Sequence, residues 1–196
     1  MTSFEAPSHG FPTSEFEGRV ARAQEIMRRY EFDALLLTTS HNIRYFTGFD
    51  SQFWESPTRP WFVVVPAEGK PMAVIPEIGA PEMERTWLDD VRSWPAPQPA
   101  DDGTSLLTAA LAQLPRKFGR VGAELGREMS LRMPVVQFLE LRDKLPGLEL
   151  DNGSSCIWEI RRVKTPGEIA RVRFICGIAS QAYENLPDLV SKGDGV

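Results

Sequence analysis

The stretch from residue 32 to residue 66, FDALLLTTSHNIRYFTGFDSQFWESPTRPWFVVVP, decides the fold of this chain. It holds two apolar runs, Ala34–Leu37 near its start and Trp61–Val65 near its end, and these predict buried strands because they are short and continuous. Between them lie polar and aromatic side chains: His41, Asn42, Arg44, Tyr45, Trp54, Glu55 and Arg59. Segments that join the strands of a rigid sheet commonly carry binding residues, so this one is predicted to form a binding edge.

The composition is that of an ordinary globular chain. Of its 196 residues, 42% are hydrophobic and 25% are charged, and the net charge of -5 gives no basic footprint for nucleic acid. No apolar run approaches the roughly 20 residues of a membrane-spanning helix, and the amino terminus lacks the basic and apolar regions of a signal peptide. The only cysteines, Cys156 and Cys176, lie far apart, which favours a reducing, cytoplasmic setting.

Helical and strand patterns alternate along the chain and predict an α/β fold. Apolar residues recur at helical spacing from Ser14 to Tyr30, and the opposite face of that helix, which includes Arg19, is expected to be solvated. The polar turn Ala67–Lys70 between two apolar runs indicates a hairpin, and therefore a mixed sheet. Helices are expected on both faces of this sheet.

Two helix starts stand out in the second half of the chain. Ser130 is predicted to cap a helix that runs to Lys144, with Pro134 tolerated in its first turns. The sequence Thr165-Pro166-Gly167-Glu168 has the capping-box pattern with proline at the first helical position, and it predicts a long helix that reaches about Leu186.

The chain lacks the residue spacings of a catalytic or metal centre of its own. Its only histidines are His9 and His41, and neither lies at a spacing from other ligand-type residues that would hold a metal ion. Cys156 and Cys176 lie among apolar residues, which favours a buried thiol over a nucleophile for Cys156 and a core or interface position for Cys176. No catalytic residue and no metal ligand is therefore assigned.

Three segments resemble the amino-terminal domain of the creatinase/prolidase family, the M24 peptidase family that includes creatinase, prolidase and aminopeptidase P. They are residues 37–49, LTTSHNIRYFTGF; residues 56–66, SPTRPWFVVVP; and residues 163–173, VKTPGEIARVR. The first and last segments are more specific together, and in this order, than either is alone. The likeness spans most of the chain, from about Ser14 to the end.

The resemblance implies a domain organisation and a set of partners. It implies a leader over residues 1–13, a creatinase/prolidase N-terminal-like domain over residues 14–162, and a linker helix over residues 163–196 that leads into a pita-bread catalytic domain. In such a hydrolase a divalent metal ion (Mn, Co or Zn) would belong to the catalytic domain, so no cofactor is expected in this chain. The implied partners are that catalytic domain, a second copy in a homodimer and a small peptide or small-molecule substrate, with neither nucleic acid nor a membrane.

The resemblance also points to substrate-binding residues in the central stretch. In creatinase a matching Ser-x-x-Arg-Pro loop reaches across the dimer, where its arginine helps to hold the substrate carboxylate in the neighbouring active site; that arginine corresponds to Arg59. Trp54 offers stacking area in the same segment, and His41 could reach the active site of a partner. Pro57 replaces the aromatic residue that creatinase uses, which argues against creatine as the substrate.

Each of these residues also has a structural interpretation. Arg59 could pair with Glu55 or Asp50, Trp54 could pack on the sheet edge, and His41 could cap the following turn. For the whole chain, a non-catalytic domain of an Xaa-Pro peptidase or other C–N hydrolase stands against a stand-alone ligand-binding or protein-interaction module without enzymatic activity.

Overall fold

A computed structural model of the chain describes residues 6–8, 10–52, 56, 59–191 and 193. The chain divides into two compact units. One unit is Pro12–Arg162, and the other combines Met1–Phe11 with Val163–Val196.

Helices and strands alternate through the first unit, as the sequence predicts. Its strands are β1 Ala34–Leu37, β2 Phe62–Pro66, β3 Met72–Pro76, β4 Asp90–Trp94, β5 Arg120–Ala123 and β6 Glu149–Asn152. Its helices are α1 Thr13–Tyr30, α2 Ser40–Thr47, α3 Ala80–Met83, α4 Thr104–Ala112, α5 Val135–Asp143 and α6 Ser154–Arg162. The second unit contains α7 Pro166–Glu184 and α8 Leu186–Leu189.

The sheet is mixed, which confirms the prediction. The strands of the described residues form one six-stranded sheet in the order β4-β3-β2-β1-β5-β6. Strand β1 pairs antiparallel with β2, from Ala34 opposite Pro66 to Leu37 opposite Val63, and parallel with β5. Strands β2 and β3 form the predicted hairpin, whereas β3–β4 and β5–β6 are parallel pairs. The two apolar runs of the 32–66 stretch are thus neighbours inside the sheet.

Helices cover both faces of the sheet, which is also as predicted. Successive side chains of a strand point to opposite faces, so the apolar run of β1 serves two cores. Leu35 and Leu37 pack in the core shared with α1, α2 and α6, and Ala34 and Leu36 pack in the core shared with α4 and α5. All four side chains are fully buried.

The prediction that Arg19 lies on a solvated helix face is wrong. Its side chain is only 3% exposed and forms an ion pair with Glu15 at 3.2 Å. Its Nη1 donates to the carbonyl oxygen of Tyr45 at 2.8 Å, and its guanidinium carbon lies 4.4 Å from the centroid of the Tyr45 ring. An arginine can be buried when its charge is paired and its plane lies on an aromatic ring, and helical periodicity does not reveal such partners.

The helix predicted to start at Ser130 starts later, so that prediction is wrong as well. Helix α5 begins at Val135, and Pro134 occupies its N-cap position with ψ 137°. Proline disfavours the helical conformation in the residue before it, here Met133, which is why the helix cannot include residues 130–133. This non-helical segment becomes part of the site described below.

The second unit begins with the predicted capping box. The hydroxyl of Thr165 accepts a hydrogen bond from the backbone N–H of Glu168 at 3.2 Å, and the Glu168 carboxylate accepts one from the N–H of Thr165 at 2.9 Å. None of the residues of α7 is buried. Its apolar side chains Val172, Ile175 and Ile178 are each more than half exposed.

No helix in the described part of the chain combines the length and the apolar character needed to cross a membrane.

Candidate functional site

The carboxyl ends of β1 and β5 lie side by side because the two strands are parallel neighbours. Thr38 and Thr39 follow β1, and Glu124 follows β5. The chain then leaves β1 for α2 on one face of the sheet and leaves β5 for α5 on the other face. Ligand crevices of α/β proteins form at such a point, where consecutive connections diverge to opposite faces.

Glu124 is a buried carboxylate at the base of this crevice, with 1% of its surface exposed. Its two oxygens accept hydrogen bonds from both the backbone N–H and the hydroxyl of Thr38 and of Thr39, and from the amide of Asn42. The distance from the Thr39 nitrogen is 2.8 Å and that from the Thr38 hydroxyl is 2.9 Å. A charge can be buried when donors surround it in this way, and the carboxylate thereby fixes the turn from β1 into α2.

The same network continues to α6 through Asn42, which is fully buried. The Oδ1 atom of Asn42 accepts a hydrogen bond from Nη1 of Arg161 at 2.7 Å. The guanidinium carbon of Arg161 lies 5.5 Å from the centroid of the Tyr45 ring. Asn42 and Tyr45 are therefore engaged in holding α2 in place.

An open cleft of about 350 Å³ adjoins the Glu124 network, since Thr39 belongs to both. Residues from two segments line it: Thr39, Ser40, His41, Ser130, Leu131 and Arg132. The cleft presents hydroxyl groups, one imidazole and one guanidinium, and the guanidinium, that of Arg132, is already engaged by the carbonyl oxygen of Ser56. The position of the cleft at the divergence of β1 and β5 is the expected place for a small ligand.

His41 is exposed on the cleft side of α2, and its Nε2 lies 3.2 Å from the hydroxyl of Thr39. Partial desolvation of the ring lowers the pKa of His41 below its ordinary value. The positive charges of Arg161 and Arg132 also lower it, while the nearby Glu124 carboxylate acts in the opposite direction. The lowered pKa favours the neutral imidazole near pH 7, and this form can both donate and accept a hydrogen bond.

Arg59 is half-buried, and Pro60 beside it is buried. Asp50, one of the two predicted structural partners of Arg59, is instead paired with Arg44. Arg132 connects the cleft with the segment that carries Arg59, because its Nη2 donates to the carbonyl oxygen of Ser56 at 2.7 Å.

Two of the residues in the substrate-binding hypothesis lie outside the part of the chain that the structure describes. These are Trp54 and Glu55, the second predicted partner of Arg59. The stacking role of Trp54 accordingly stays a prediction.

Potential metal ligands do not cluster among the described residues: no group of three or more His, Cys, Asp or Glu side chains there could hold a metal ion. Cys156 is buried, and burial raises the pKa of its thiol to about 12. Because the thiolate is the nucleophilic form, Cys156 is inert at neutral pH.

Sequence reasoning missed three charged residues of the site: Glu124, Arg132 and Arg161. The only signal for Glu124 is an acidic residue directly after the buried run of β5, at the sheet edge where Thr38 and Thr39 end β1. Arg132 was hidden by the erroneous helix start at Ser130. Arg161 has no local signal in the sequence, because its hydrogen-bond partner Asn42 lies 119 positions away.

The family profile of the creatinase/prolidase N-terminal domain matches residues 19–163, which is more than half of the chain. The chain belongs to this family. The match covers β1 to β6, including the Glu124 network and the cleft. No curated protein sequence matches the chain significantly.

Solved structures with this fold include two longer proteins and one isolated domain. The dipeptidase PepE of Mycobacterium ulcerans is 23% identical with a TM-score of 0.60, and the match covers 82% of this chain and 40% of PepE. The prolidase of Pyrococcus horikoshii OT3 is 20% identical with a TM-score of 0.63, and the match covers 90% of this chain and 44% of the prolidase.

A Creatine_N superfamily domain of a Streptococcus thermophilus dipeptidase is 17% identical with a TM-score of 0.56, over 73% of this chain and 98% of that domain. At these identities the likeness establishes the fold. The chain thus spans less than half the length of the two longer proteins.

Proposed function

We propose that this chain is the non-catalytic N-terminal domain of a creatinase/prolidase-type hydrolase that cleaves a C–N bond in an Xaa-Pro peptide or a small amide or amidino compound. The observation that carries the proposal is the family match over residues 19–163, together with similar proteins of which the match covers only 40% and 44%. The names of those proteins, a dipeptidase and a prolidase, supply the substrate class.

In this proposal the chain serves dimerisation and lines the substrate pocket of a partner subunit. Arg59 binds the substrate carboxylate, with Trp54 stacking on the substrate and His41 donating or accepting a hydrogen bond. A guanidinium fork suits a carboxylate because two parallel N–H groups match its two oxygens. The partial exposure of Arg59 and the engagement of Asp50 by Arg44 support its availability for this role.

A divalent metal ion, where the complete protein uses one, would polarise the scissile carbonyl and supply hydroxide near neutral pH. Its ligands would belong to a further domain, which α7 leads into. The residues of this chain contribute binding and orientation.

The first experiment is hydrolysis of a panel of Xaa-Pro dipeptides, with creatine alongside, in the presence and absence of Mn²⁺. It compares this chain with the complete product of its gene. Turnover only by the complete product supports the proposal. Should the complete product contain no further domain and cleave nothing, the stand-alone binding module replaces it.

The role of Arg59 is tested in the complete product by Arg59→Ala. Loss of a charge-assisted hydrogen bond predicts that KM rises by roughly 10- to 100-fold. Arg85→Ala is the matched control, because Arg85 is 77% exposed and its ion pair is with Glu82, three positions before it. Equal KM values for the two variants would exclude Arg59 from substrate binding.

Action across a dimer has a separate test. Subunits with Arg59→Ala are co-expressed with subunits inactivated in the catalytic domain. Mixed dimers then contain one site with both an intact Arg59 and an intact catalytic domain, and normal KM returns at that site. Failure to recover normal KM in purified mixed dimers shows that Arg59 acts within its own subunit.

A further inference from the structure

We propose that Arg132 is a positioning residue that holds the segment carrying Arg59 against the cleft, an inference that rests on the proposed function of Arg59. The observation is the hydrogen bond from Nη2 of Arg132 to the carbonyl oxygen of Ser56 at 2.7 Å. The two residues are 76 positions apart in sequence. The bond therefore joins the segment after β5 to the segment between α2 and β2.

Arg132 is itself anchored to the centre of the sheet. Its backbone N–H donates to the hydroxyl oxygen of Thr38 at 3.3 Å. That hydroxyl lies 2.9 Å from the buried carboxylate of Glu124 and 3.2 Å from the carbonyl oxygen of Ser130. Since β1 and β5 fix Thr38 and Glu124, the base of the Arg132 side chain is held by the most buried part of the fold.

The Ser56 carbonyl is an effective point of attachment for this segment. The sequence SPTRP from residue 56 to residue 60 contains two prolines, which have no N–H to donate. Backbone carbonyl acceptors therefore outnumber backbone N–H donors in this sequence, and a guanidinium is a strong hydrogen-bond donor to a carbonyl oxygen. Three residues span at most roughly 11 Å, so fixing Ser56 keeps the backbone of Arg59 within that distance of it.

Confinement of Arg59 before substrate arrives lowers the entropy lost on binding. Arg132 is thus expected to affect substrate binding through Arg59, and to affect it without contacting the substrate. A residue that contacted the substrate directly would act independently of Arg59, and this difference is measurable.

The first test measures backbone amide exchange in this chain by mass spectrometry. Arg132→Met keeps the length and apolar stem but removes the donor, and the amides of Ser56 and Arg59 are expected to exchange roughly tenfold faster, as the loss of a charge-assisted bond permits. Arg132→Lys retains a cationic donor and is expected to restore most of the protection. The control is Arg127→Met, because Arg127 lies in the same connection and its side chain is 93% exposed.

Peptides from β1 and β5 serve as an internal reference in each variant. If Arg132→Met accelerates exchange at those strands as much as at Ser56 and Arg59, the change is global unfolding and Arg132 is not a specific anchor. Unchanged exchange at Ser56 and Arg59 likewise overturns the inference, whether or not Arg59 binds substrate.

The second test uses the complete gene product and the hydrolysis assay. Arg132→Met is expected to raise KM by roughly threefold or more, with kcat unchanged and with partial rescue by Arg132→Lys. In a protein that already carries Arg59→Ala, Arg132→Met is expected to raise KM by less than a further twofold, because Arg132 can no longer act through the Arg59 side chain. Full additivity would assign Arg132 a direct role and overturn the positioning inference.

Failure of the proposed function has a different signature. Arg59→Ala would then leave KM unchanged, while Arg132→Met would still accelerate exchange at Ser56 and Arg59.

Discussion

At the scale of single residues, Glu124 sets the geometry of the cleft. Its carboxylate collects hydrogen bonds from two successive backbone N–H groups, two hydroxyls and one amide. A carboxylate can satisfy all of these donors because it accepts at both oxygens and donates at neither. In a glutamine at this position, the side-chain NH₂ group would face the N–H and O–H donors that surround Glu124.

Glu124→Gln is therefore expected to lower the free energy of unfolding by about 2–3 kcal/mol, because at least one buried donor loses its acceptor. Urea denaturation of this chain measures the change. Glu128→Gln provides the control on the same connection, since the Glu128 side chain is 67% exposed and its ion pair with Arg127 has a distance of 3.7 Å; its effect should lie within about 0.5 kcal/mol of zero. If the two substitutions lowered the free energy of unfolding equally, the hydrogen bonds of Glu124 would contribute no more to stability than the exposed ion pair of Glu128.

At the scale of elements, the sequence predicts what local chemistry decides. Continuous apolar runs predict β1 and β2, and the capping box of Thr165 and Glu168 predicts the start of α7. The start of α5 was missed because the effect of Pro134 on its preceding residue outweighs the capping potential of Ser130. Glu124 and Arg132 were missed for a different reason, since their contacts join residues more than 75 positions apart.

The end of α2 gives an element-scale prediction. Gly48 has φ 77°, and a Cβ atom there would lie 2.7 Å from the Phe16 ring. Gly48→Ala thus combines the cost of a left-handed backbone, about 1–2 kcal/mol, with overpacking of about 1–3 kcal/mol. Gly69→Ala isolates the first cost, because Gly69 has φ 87° and open space around its Cβ position.

Thermal and urea unfolding of both variants separate the two contributions. The Gly48 variant should be the less stable by about 1 kcal/mol or more. Equal stability of the two would mean that Phe16 moves aside without cost, and that α1 does not constrain the end of α2.

At the scale of the whole molecule, the long helix α7 distinguishes this chain from the domain that the family profile matches. The profile ends at residue 163, before α7 begins. Val172, Ile175 and Ile178 are exposed on α7, and an apolar stripe of this kind favours association with another surface. We propose that a further domain of the complete protein covers it.

The reactivity of the two cysteine thiols can be used to measure whether α7 is covered. Cys176 lies on α7 one turn after Val172 and is exposed, whereas Cys156 is buried with a pKa raised to about 12. In this chain at pH 8, a disulfide reagent such as DTNB is expected to modify Cys176 rapidly and Cys156 only after unfolding, because the thiolate is the reactive form. Cys176→Ser should abolish the rapid phase, and Cys156→Ser should leave it intact.

The complete gene product extends the thiol measurement to the proposed domain packing. If a further domain covers the apolar stripe of α7, modification of Cys176 slows by at least roughly tenfold relative to this chain, because each 1.4 kcal/mol of protection against opening gives that factor. A Cys176 that reacts equally fast in both proteins means that α7 stays uncovered. In that case Val172, Ile175 and Ile178 remain available to a separate partner, and the interaction-module interpretation of the chain gains support over the domain of a hydrolase.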